Sequence, residues 1–189
     1  MVSSSALLAS PELSKEEIRA SIDRLCAWIE RHDYKGYDPG DGLNSYLRPL
    51  AFGNRLAERA LLQLVWKAPF NLRPLIGIRP TDSTKGRGYM ASGYLHRYRA
   101  TREKRFLDKA IACLEWLIAN PSSGQVGYAW GNHFDFVTRS GVNPAGSPII
   151  VWTSLIGQAF LEAFEETGQA LSGGQKQRVL IARALATKP

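Results

Sequence analysis

The sequence predicts an all-α fold of antiparallel helical hairpins, and three observations carry that expectation. Apolar residues recur at three- and four-residue intervals over several separate segments. Two helical segments are joined by little more than "ATRE", a connection so short that they must be antiparallel neighbours. No segment alternates polar and apolar residues as a half-buried strand would.

Taken in order, "LSKEEIRASIDRLCAWIERHD" opens with Ser14 and Glu17 at capping-box spacing, flanked by Leu13 and Ile18 as a hydrophobic staple. Ile18, Ile22, Leu25, Cys26 and Ile29 follow on one face. A second helix is expected from about Asn54 to Lys67 on the recurrence of Leu56, Ala60, Leu61, Leu64 and Val65, stopping before Pro69. The third, 83–99, contains Gly88 and Gly93, each costing about 1 kcal/mol in a helix interior. Close packing of a neighbouring helix is the expected reason for both. The fourth, 103–119, carries Phe106, Ala110, Cys113, Leu114 and Leu117 on one stripe, and a fifth, strongly apolar helix spans 149–166.

A chain of 189 residues, 44% hydrophobic and 22% charged, has the composition of one globular domain rather than a disordered segment. No apolar run approaches the roughly 18 residues of a membrane-spanning helix, so the chain is not expected to span one. Residues 1–13 lack the basic region of a signal peptide and read as a flexible N-terminus, which makes the cytoplasm the expected location. Cys26 and Cys113 both sit on apolar stripes and read as small core residues; no metal site or disulfide framework is indicated.

The net charge is +7. Four basic residues and no acid lie beyond Thr167, and eight Lys or Arg between Lys85 and Lys109 face only Glu103 and Asp108. Solvated helix faces account for the second cluster, and a site for phosphate or anionic glycan is the sharper alternative. No aromatic-basic motif accompanies the charge, so nucleic acid is not an expected partner.

Three segments resemble α/α-toroid proteins, the six-hairpin glycosidase-like group, and within it proteins of bacterial polysaccharide biosynthesis. They are "KGYDPGDGLNSYL" (35–47), "TKGRGYMASGYLHRYRATREKRFLDKA" (84–110) and "GYAWGNHFDFVTRSGVNPAGSPIIVWTSLIGQAFLEAFEETG" (127–168). The resemblance implies a partial toroid over 14–168 and a glycan-related role, with glycan or sugar-phosphate as the partner. It also implies a ring cut short after Gly168, whose unpartnered apolar edge would favour self-association.

Chemistry is expected in the polar loops. Asp38 and Asp41 stand three residues apart in "YDPGDG", and "GYAWGNHFDFVTR" gathers Trp130, Asn132, His133, Asp135 and Arg139 among aromatic residues. Aromatic rings beside Asp, Asn and His suit a sugar site, where ring faces stack and polar groups bond hydroxyls. On that reading Trp130, Asn132 and Arg139 bind carbohydrate. Asp38 or Asp41 with Asp135 would form an acid and base pair, or His133 a base, if the loops converge. The plainer alternatives are turn-forming roles for Asp38 and Asp41, an ion pair of Asp135 with Arg139, and a satisfied loop histidine at 133.

Residues 169–189 change character. "LSGGQKQRVLIARALA" (171–186) resembles the signature segment of ATP-binding-cassette transporter ATPases, implying an anion-binding nest of Ser172, Gly173 and Gly174 with Gln175 beside it. The chain contains no "GxxxxGK[ST]" loop, and no strand ending in the Mg²⁺-holding Asp and catalytic Glu. The signature therefore implies ATP and Mg²⁺ binding only with a partner subunit, as the alternative to the glycan reading; otherwise no cofactor is expected. A basic amphipathic helix is the simpler reading of the same segment.

Overall fold

The computed structural model describes residues 14–124, 127–138 and 141–168. It is mostly helical, with five α-helices and one small sheet among the described residues. Residues 1–35 and 36–189 form two compact units.

In the first unit, α1 (Lys15–Arg31) begins with both halves of the expected capping box: the Ser14 hydroxyl accepts from the Glu17 amide at 3.2 Å, and the Glu17 carboxylate accepts from the Ser14 amide at 2.8 Å. Its apolar stripe buries nothing completely; Leu25 is 56% exposed and Cys26 is half-buried. The expectation that Cys26 is a core residue is corrected on that ground.

In the second unit, α2 (Arg55–Lys67) is capped by the Asn54 side chain. The hairpin of α3 (Thr84–Thr101) and α4 (Lys104–Ala119) turns through Arg102 in the left-handed region. Both helices pack against α5 (Ile150–Thr167). The residues α4 buries are the five expected from its stripe, Phe106, Ala110, Cys113, Leu114 and Leu117. With Ala91, Leu95, Ile156 and Ala159, all fully buried, they form the three-helix core. Burial pushes the Cys113 thiol pKa up, as befits a structural cysteine.

Gly88 brings α3 and α5 together: a Cβ there would stand 2.8 Å from Ile156 Cγ1. Gly93 meets nothing within 4 Å, so the close packing expected at both glycines occurs at Gly88 alone.

One further expectation is corrected. The inward face of α2 is Glu58, Leu62 and Val65, whereas Leu56 and Leu64 are exposed. The apolar pattern misleads because an acid takes an inward position, within reach of Arg48 Nε at 3.4 Å. Leu62 packs with Leu43 and Val137, and Val65 with Ile76 and Ile78, in two smaller clusters. The expectation of a largely helical fold holds, with one small ribbon beside the helices. β1 (Phe136–Val137) and β2 (Val142–Asn143) pair antiparallel, two residues each and too short for any alternation to be read.

The basic stretch 85–109 resolves into pairs. Lys85 meets Asp38 at 2.9 Å, Arg87 meets Asp82 at 2.6 Å, Arg99 meets Glu166 at 2.6 Å and Lys104 meets Asp108 at 2.6 Å. Most of this charge is thus balanced locally rather than held open for an anion. No helix among the described residues is long and apolar enough to cross a membrane.

Candidate functional site

Two loops and three helices build the site. The first loop folds on its own aspartates: Asp38 Oδ1 accepts from the Gly40 amide at 2.9 Å, and Asp41 Oδ2 from the Asp38 amide at 3.1 Å. Arg73 then ties it down, its Nε donating to both Asp41 oxygens at 2.8 and 3.0 Å and its Nη2 to the Asp38 carbonyl at 3.1 Å. The turn lies directly on Phe136, because a Cβ on Gly40 would come within 2.9 Å of that ring.

The second loop is pinned to two helix starts. The Thr84 hydroxyl donates to the Gly131 carbonyl at 2.8 Å, and the Ile149 amide donates to the Trp130 carbonyl at 2.9 Å. Gly131 passes so close to Ser147 that a Cβ would overlap the Ser147 carbonyl oxygen, so only glycine fits there.

Between them lies a cavity of about 550 Å³, within the range of small-ligand pockets. Its polar lining comes from Asp38, Arg59, Gln63, Lys85, Asn132, Thr138 and Asn143, and its aromatic lining from Trp66, Phe136 and Trp152. The loops do converge, and they bring Asp38 and Asn132 to one cavity. The Lys85 ammonium pairs with Asp38 and also lies 5.1 Å from the centre of the Trp152 ring.

The other expected residues lie elsewhere. Asp41 is 3% exposed and held by Arg73; burial raises its pKa, against the pull of that guanidinium. Asp135 pairs with Arg48 at 2.7 Å and accepts from the Ala145 amide at 2.9 Å, and these two contacts, the amide foremost, hold its carboxyl below the usual range. The expected partner, Arg139, lies outside the described residues, as do Ser172, Gly173, Gly174 and Gln175. His133 bonds to the Thr81 hydroxyl. Desolvation lowers its pKa, against the nearby carboxylates of Asp38, Asp82 and Asp41.

Trp130 is a core residue. It is 4% exposed, stacks on Phe160 at 5.9 Å and donates from Nε1 to the Leu117 carbonyl at 2.8 Å. A ring so enclosed has no face to offer a sugar, which corrects the expectation placed on it. Trp152 and Trp66 are the indoles at the cavity. Sequence reasoning missed both, although Arg59, Gln63 and Trp66 stand at i, i+4 and i+7 on one stripe of α2.

Each aspartate of the expected acid and base set is therefore occupied: Asp38 by Lys85, Asp41 by Arg73 and Asp135 by Arg48. The arrangement can bind a polar ligand against indole faces. Among the described residues the carboxyl that lines the cavity, Asp38, is already engaged by the Lys85 ammonium and the Gly40 amide. Among the described residues no group of three or more His, Cys, Asp or Glu is placed to hold a metal ion. No family model, curated protein or solved structure matches the chain.

Proposed function

We propose that the second unit is a glycan-binding domain of α/α-toroid type with a role in polysaccharide biosynthesis, binding its ligand without hydrolysing it. The observation that carries this reading is the cavity itself, where Trp152 and Trp66 stand with Asn132, Asn143, Gln63 and the Lys85–Asp38 pair. Flat apolar faces beside amide and charged groups match a pyranose, with its apolar C–H face and its rim of hydroxyls. The paired state of Asp38, Asp41 and Asp135 favours binding over acid–base cleavage.

Calorimetric titration of the full chain with a panel of bacterial oligosaccharides tests it, with product analysis of the same mixtures. Saturable binding, weakened about tenfold or more by Trp152→Ala, is expected, as is intact oligosaccharide after incubation. Absence of saturable binding, or a Trp152→Ala chain that binds as the parent does, would sink the binding role. Released reducing ends that disappear with Asp38→Asn would instead make the site hydrolytic.

A further inference from the structure

The charges lining the cavity do not balance. Among the described residues Asp38 is the one acid of its lining, and Lys85 and Arg59 are its bases. Asp38 already serves Lys85 through Oδ2 at 2.9 Å and the Gly40 amide through Oδ1 at 2.9 Å. Among the described residues Arg59 has no ion-pair or hydrogen-bond partner. It stands with Gln63 and Trp66 on the stripe of α2 that faces the cavity, half-buried rather than extended into solvent. A guanidinium on a helix wall, beside an indole and without a carboxylate, is a ready donor fork for a compact oxyanion.

We infer that the ligand of this cavity is an anionic sugar, and that Arg59 is the residue that selects for its charge. The inference rests on the glycan reading and adds the substrate class to it. The shared chemistry is a sugar ring bearing an oxyanion, either the carboxylate of a uronic acid or a phosphate ester. Trp152 and Trp66 would take the ring, Arg59 the oxyanion, and Lys85 would remain with Asp38. A neutral sugar would leave the Arg59 charge without a partner in the bound state, so discrimination comes from one residue on one helix.

The test is a set of titrations of the full chain at low ionic strength with trigalacturonate against cellotriose, and with glucose 1-phosphate against glucose. In at least one pair the anionic member is expected to bind about tenfold tighter. Arg59→Gln should abolish that preference, and an unchanged circular dichroism spectrum and thermal midpoint report that the variant is folded. Arg59→Lys should keep part of it, since charge survives while the fork is lost. The pair that shows the preference identifies carboxylate or phosphate as the anion. Equal binding within both pairs, or a preference that persists in Arg59→Gln, overturns the inference and leaves the glycan reading standing. No binding of any of the four sugars overturns both.

Discussion

The pair of Asp41 and Arg73 shows how a residue that reads as catalytic is spent on structure. Both side chains are largely withdrawn from water, 4% and 14% exposed, and together they fix the turn that carries Asp38 into the cavity. Removing one partner strands the other as a buried charge, which costs about 3–5 kcal/mol. Arg73→Met should lower the unfolding free energy measured by urea denaturation by that order, and adding Asp41→Asn to it should recover part of the loss, because the stranded charge is then gone. His133 gives a pH signature. Its folded pKa lies below the ordinary imidazole value of 6.5, so the unfolded chain takes up the proton first as pH falls. The stability it contributes is complete above that value and is lost as pH falls through the window beneath it. His133→Gln should flatten that limb of a stability-against-pH curve. Asp135, with its lowered pKa, contributes stability above 3.8 that is lost only at lower pH, so the two limbs separate. At this scale the sequence was partly misleading. Trp130 reads as a sugar-binding ring and Trp152 as part of an apolar helix, yet folding brings the Leu117 carbonyl to the Nε1 of Trp130 and buries it, while Trp152 lines the cavity. No local pattern carries that information.

At the scale of elements, legibility followed the regularity of burial. The stripe of α4 was readable to the residue because one face of a long helix meets a purely apolar core. The inward face of α2 was not, because Glu58 lies on it and is matched by Arg48 from outside the helix. The β1–β2 ribbon was invisible, being held by two residue pairs rather than by any pattern within the chain. Glycine in α3 supplies a test with opposite signs. Gly93→Ala adds a methyl where nothing lies within 4 Å and should stabilise by about 0.5–1 kcal/mol through helix propensity. Gly88→Ala gains the same propensity but drives its methyl to 2.8 Å from Ile156 Cγ1, and overpacking of this kind costs about 1–3 kcal/mol. Thermal denaturation of the two variants side by side should move the midpoint up for Gly93→Ala and down for Gly88→Ala. A gain in both would mean that α3 and α5 separate without cost.

At the scale of the molecule, each compact unit leaves apolar surface in water. In the first unit the exposed apolar side chains are Ile18, Ile22 and Leu25 of the α1 stripe, with Trp28 beside them. In the second, Leu50, Phe52 and Leu56 run from the 48–51 turn into the start of α2, at 68%, 90% and 74% exposed. Single exposed apolar residues are ordinary, but three so close in the chain on one turn and helix start are apolar surface that self-association would bury. Sedimentation velocity over a wide concentration range should therefore show reversible association. Leu56→Gln with Phe52→Asn should weaken it without harming the fold, because Asn tolerates the left-handed backbone of position 52, where φ is 48°. A parent chain that stays monomeric at every concentration would show instead that this surface is stable in water, and a double variant that associates unchanged would place the contact on other residues.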